Sequence, residues 1–139
     1  MTMGKDDRRC TVCGQFYPAD PQELRQSISE MIAGVKPLKL DGTVRGIIGP
    51  HAGYMYSGAV AGKTVSRINV KERVIILGPN HTGYGQDLSV MAEGIWETPL
   101  GNIEIDSQLA QGILNGSAYL KEDTIAHTYE HSVEVEVPF

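Results

Sequence analysis

Apolar residues in this chain fall into short β-branched runs and longer stripes of helical period, and two of the runs share an unusual context. Residues 44–58, VRGIIGPHAGYMYSG, and residues 73–83, RVIILGPNHTG, each carry a β-branched run (Ile47-Ile48; Val74-Ile75-Ile76) that stops at Gly-Pro. A histidine follows in both, His51 and His81. Proline lacks the N–H and has a fixed φ, so it ends a ladder. Between the two, residues 57–68 open on Ser57 as a cap and place Ala61, Val65 and Ile68 at i, i+4 and i+7, the period of one crossover helix. The expected unit is βαβ. Its strands would be parallel, with carboxyl ends about 5 to 10 Å apart. Both histidines would then face the crevice in which open α/β sheets bind ligands. Either histidine alone reads as an ordinary loop residue; the repeated context is what points to a joint role.

The remaining pattern predicts flanking elements. In residues 14–34, Asp20 caps, Pro21 takes the first helical position, Glu23 completes a capping box, and Leu24, Ile28, Met31 and Ile32 form one stripe that Gly34 ends. Phe16-Tyr17-Pro18 before it is a turn whose rings pack on the sheet or the crevice rim. Residues 88–91 read as a short strand, 95–101 as a turn anchored by Trp96, and 102–105 as a returning strand. Asp106 caps a helix through Leu109, Ala110, Ile113 and Leu114, stopped at Gly116. The fold class expected is α/β, a mostly parallel sheet with flanking helices.

Composition narrows the function. A chain of 139 residues, 41% of them apolar, suits one domain that buries about two-thirds of its unfolded surface. Residues 1–13 read as a flexible tail ahead of a domain spanning 14–139. A net charge of -5, with both signs interspersed, argues against nucleic acid or an anionic membrane as the main partner. The charged N-terminus has no signal-peptide core and no apolar run approaches the ~20 residues of a membrane span, so the expected location is the cytoplasm.

Two further patterns carry chemistry. Cys10 and Cys13 form a C-x-x-C, the spacing of half a zinc site or a redox pair. With no second pair, and with a polar tail rather than a strand before it, free thiols are the expectation in a reducing compartment. Near the end, His127, Glu130 and His131 spell H-x-x-E-H, which on a helix is the inverted-zincin pattern. A peptidase of that type needs a third ligand downstream, and only eight residues follow His131. Val133, Val135 and Val137 also alternate with Glu134 and Glu136 as a strand would.

The blocks CGQFYPADPQEL, GPHAGYMYSG, LGPNHTG, WETPLG and HTYEHSVEVEVPF, in this order and spacing, resemble the N-terminal half of the Memo family, protein B of the AmmeMemoRadiSam system. The resemblance implies a domain similar to the class III extradiol ring-cleaving dioxygenases, with a non-haem metal site in its crevice. It implies that His51 and His81 bind the metal, iron(II) or copper, and that His131 is the pocket acid/base with Glu130 behind it. It also implies a cysteine ligand beyond the last residue here, so that the chain is read as truncated, and AMMECR1-like and radical SAM proteins as partners. Cys13 stands where the family more often has a small apolar residue, and Glu136 where glutamine is common. Three functions follow: a Memo-like metal-binding protein with a redox-related role, an extradiol-type dioxygenase acting on a catechol, or a zinc metallopeptidase using H-x-x-E-H.

Overall fold

The computed structural model describes residues 7–36, 38 and 41–139. In chain order the elements are helix α1 (Pro21–Ile32), a π-helical turn (Tyr54–Gly58) running into α2 (Ala59–Val65), strands β1 (Ser89–Val90), β2 (Ile95–Thr98) and β3 (Gly101–Glu104), α3 (Ser107–Asn115), β4 (Lys121–Glu122) and the short α4 (Ile125–Thr128).

α1 and α3 start where side-chain caps place them, whereas α2 has no side-chain cap: Ser57, expected in that role, lies within the π-helical turn and donates to the Ala52 carbonyl at 3.0 Å. Asp20 accepts from the amides of Gln22 and Glu23, and Asp106 accepts from that of Leu109, so each satisfies donors that have no partner inside the helix. α1 ends at Ala33, and Gly34 follows with φ +69°, the left-handed conformation that glycine adopts without a Cβ clash. Its stripe turns inward except at its end, where Ile32 is exposed. Leu24 is fully buried, worth about 2 kcal/mol of apolar transfer, and clusters with Tyr17, Tyr54 and Val135, while Ile28 and Met31 pack against them. α1 meets the second helical segment where glycines leave room: a Cβ on Gly62 would stand 3.0 Å from that of Met31.

Among the described residues, the parallel sheet expected around the two Gly-Pro-His segments is not formed. β1 and β4 pair in parallel over two residues each, and β2 and β3 form an antiparallel hairpin of four. These are two separate two-stranded sheets, and the α/β, extradiol-dioxygenase-like architecture is overturned by them. The physical reason lies in the runs themselves. Strands of a parallel sheet need a ladder partner and cover on both faces, yet Ile48 is 97% exposed and Leu77 89% exposed, and neither run belongs to a strand. The hairpin also begins earlier than its Pro-Gly signal suggests. Ile95–Thr98 is itself a strand and the turn is confined to Pro99 and Leu100. Trp96 is the buried anchor of that hairpin, its indole N–H pointing at Met91 Sδ 3.1 Å away.

Residues 1–6 of the expected tail lie outside the described residues. Further along it, Arg8 is buried under β2: its backbone pairs with Trp96 and its guanidinium lies 4.2 Å above the indole ring. The guanidinium also donates to Glu134 Oε2 at 2.7 Å, a salt bridge with both side chains almost wholly enclosed. Cys10 and Cys13 are joined in a disulfide rather than free. Their Cα atoms, 5.9 Å apart, lie within the span such a bond bridges.

Glu136 offers a first test. Its carboxyl packs against Gly49, its Oε1 is buried with no hydrogen-bond partner among the described residues, and burial raises its pKa. A raised carboxyl pKa means that ionisation costs stability as pH rises through the folded-state value, whereas below the unfolded value the group is neutral in both states. Glu136→Gln is therefore expected to stabilise the fold by roughly 1 kcal/mol at pH 7 and to change little at pH 4. Urea titrations at the two pH values check this.

Candidate metal centre

Three segments distant in sequence bring their histidines together. His51 follows the first Gly-Pro, three residues ahead of the π-helical turn, and His81 follows the second. His131 comes from the turn that follows α4. One ligand atom from each lies within 4.8 Å of the other two. The His81 and His131 rings are stacked with centroids 4.5 Å apart, and His51 stands 5.2 Å from the first and 6.0 Å from the second.

The hydrogen bonds that hold this arrangement replace the missing sheet. Glu130 is buried and binds His81 through both the backbone N–H and ring Nδ1, the latter at 2.8 Å. Its Oε1 also accepts from the Ser132 amide at 2.9 Å and lies 3.4 Å from His131 Nδ1. Burial pushes the Glu130 carboxyl up, but the hydrogen bonds from His81 and Ser132 outweigh it and bring it down to about 2, so it is an anion at neutral pH. With Nδ1 of His81 engaged, its Nε2 is the nitrogen left for the crevice. Ser132 Oγ donates to the Pro79 carbonyl at 2.9 Å, tying the second Gly-Pro corner to the His131 segment. Gly78 permits this approach, since a Cβ there would collide with the Ser132 side chain.

The first corner is held by the Phe16 turn. Phe16 accepts from the Tyr54 amide at 2.7 Å, and Gly53 lies so close that a Cβ would be 3.3 Å from the same carbonyl. The Phe16 ring packs against His131 at a centroid distance of 5.0 Å. Burial lowers the His131 pKa; Glu130 opposes this, while His81 and His51 add to it. His131 is thereby held toward the neutral form, the one that ligates metals.

His127 is elsewhere. It is not in the cluster; its Nε2 lies 3.4 Å from Ser89 Oγ and its ring meets Trp96 edge-on. Burial, with Arg8 adding to it, lowers its pKa. α4 stops at Thr128, before Glu130, so His127 and His131 never share one helical face and the inverted-zincin pattern is not built. Glu130 does stand behind a histidine pair, but the pair is His81 and His131.

Two residues that position the site carry no sequence signal of their own. Arg8 donates from its guanidinium to the carbonyls of His127 and Glu130, at 2.7 and 2.6 Å. Glu134, one turn after His131, receives Arg8, Thr11, Val12 and Tyr17. The partners are more than a hundred positions apart in the chain.

The donor set suits a metal: three imidazoles converge, and one has its second nitrogen fixed by a carboxylate. Among the described residues, no helix is long and apolar enough to cross a membrane.

The sequence profile described as Memo-like protein matches residues 8–139. MEMO1 family proteins of Methanopyrus kandleri and Aquifex aeolicus are each 45% identical to the chain, over 96% and 95% of its length. One from Methanothermobacter thermautotrophicus is 45% identical over 95%. The aligned parts are 50%, 48% and 51% of those proteins, so the chain spans about half the length of the curated relatives it matches.

Proposed function

The chain belongs to the Memo family, and on that premise we infer that it binds iron or copper through His51, His81 and His131 in a redox-related role. The observation that carries this reading is the convergence of three imidazole ligand atoms within 4.8 Å. Imidazole nitrogen suits both metals, and a site of this kind holds copper more tightly than the other divalent first-row ions. A bound metal of either kind supplies one-electron redox chemistry.

The chain's own residues supply the rest. Glu130 orients His81 and fixes which nitrogen faces the crevice. Phe16 packs against His131 with its ring tilted by 58°. His131, 3.4 Å from the Glu130 carboxylate, is also the group placed to hold a proton at Nδ1 when it is not ligating.

Elemental analysis of protein purified without oxygen, wild type beside His51→Ala, tests the reading. Iron or copper near one per chain, lost in the variant, is the expected result. Zinc retained by the variant, or no metal in either protein, contradicts it.

A further inference from the structure

The Cys10–Cys13 pair lies outside the histidine cluster, and its surroundings give it a use. Its four-residue loop wraps a single buried carboxylate: the amides of Thr11 and Val12 donate to Glu134 at 3.1 and 3.0 Å, and Thr11 Oγ1 does so at 2.8 Å. Glu134 is in turn the anchor of the segment that carries His131, since the Val135 amide bonds back to the His131 carbonyl at 3.1 Å. Immediately after the loop, Phe16 touches His131 with its ring and the His51 segment with its carbonyl. Both cysteines are partly exposed.

We propose that Cys10 and Cys13 are a reversible dithiol–disulfide pair that sets the rigidity of the histidine crevice, tight when oxidised and loose when reduced. The oxidised loop holds the Thr11 and Val12 amides in the conformation that grips Glu134. Reduction removes that constraint. The step is exchange with a low-molecular-weight thiol: its thiolate attacks one sulfur, a second thiol resolves the mixed disulfide, and two protons end on Cys10 and Cys13 as the small disulfide leaves. The Cys10 sulfur, 3.4 Å from Glu134 Oε1 and 3.2 Å from the Tyr17 hydroxyl, then has a thiol proton to donate to the carboxylate. Glu134 would thus be held partly by a flexible side chain instead of by a closed loop.

The effect on metal rests on the metal-binding reading above; the effect on rigidity does not. The test uses disulfide-oxidised and phosphine-reduced protein, with intact mass confirming a difference of two hydrogen atoms per chain. Hydrogen exchange of metal-free protein is expected to show faster exchange at Thr11, Val12 and Tyr54 after reduction. Cobalt(II) titration is expected to show affinity about five-fold or more weaker in the reduced form. The Cys10→Ser/Cys13→Ser double variant is expected to match the reduced form under both conditions. Equal exchange in the two forms, or failure of the disulfide to form under mild oxidant, overturns the proposal. So does a change in exchange with cobalt(II) bound equally well by both forms. Cobalt(II) bound by neither form would defeat the metal reading, leaving exchange to decide the redox pair.

Discussion

Glu134→Ala is expected to destabilise the protein by about 3 to 5 kcal/mol, the range for removing one partner of a buried ion pair. The size follows from what would be stranded. Arg8 would keep its charge against the Trp96 ring with no carboxylate to meet it, and the amides of Thr11 and Val12 and the Tyr17 hydroxyl would lose their acceptor. Burial pushes the Glu134 carboxyl up, but the Val12 amide, the Arg8 charge and Thr11 outweigh it, so its pKa is lowered. The stabilising contribution of a depressed carboxyl is complete above its unfolded-state pKa and is lost as pH falls through the folded value. Wild type should therefore lose stability steeply below about pH 4.5, and Glu134→Ala should show a shallower decline. Urea denaturation at pH 7 and at pH 3 measures both. A loss at pH 7 of less than about 1 kcal/mol, the scale of an exposed pair, would mean that the Arg8–Glu134 contact is not the anchor described.

The second large effect is on metal affinity. His81→Ala removes one of three converging imidazoles and frees Glu130 from its main side-chain partner. An affinity loss of at least about 100-fold is expected, beyond the 10- to 100-fold typical of losing an outer partner. Glu130→Gln should fall inside that smaller range, because its one carbonyl oxygen can still accept from either the Ser132 or the His81 amide, which the two carboxylate oxygens share between them, but the side chain carries no charge. His127→Ala should leave affinity unchanged, since that ring faces Ser89 and Trp96. Competition with a chromophoric chelator ranks the three. Equal losses in His81→Ala and His127→Ala would point to a different site.

How far the sequence reads through to this site depends on the range of each interaction. The caps at Asp20 and Asp106 and the Trp96 anchor are local, and they appear where residue type and spacing place them. His51 and His81 do meet, but for a reason other than the one their context suggested. No pair of adjacent parallel strands brings them together; Glu130, Ser132 and the Phe16 turn do. β-branched runs before Gly-Pro are compatible with strands, yet a strand exists only when a neighbour completes its ladder, and that neighbour is not encoded in the run. The H-x-x-E-H string was misleading for a related reason, because α4 ends within it and sends His127 and His131 to different surroundings. The Arg8–Glu134 pair depends on a loop closing over a distant turn, whereas the Cys10–Cys13 bond spans three positions and its C-x-x-C spacing is visible in the sequence, although the expectation there is free thiols. Nothing in the local spacing of the charged pair marks such a contact.

Pulsed electron paramagnetic resonance of copper(II)-loaded protein counts coordinated imidazoles and so tests whether His51, His81 and His131 act as one metal site. More than one imidazole is expected in the wild type, fewer in each of His51→Ala, His81→Ala and His131→Ala, and no change in His127→Ala. A spectrum without imidazole coupling, or one that survives all three substitutions and changes only with His127, would contradict that shared site.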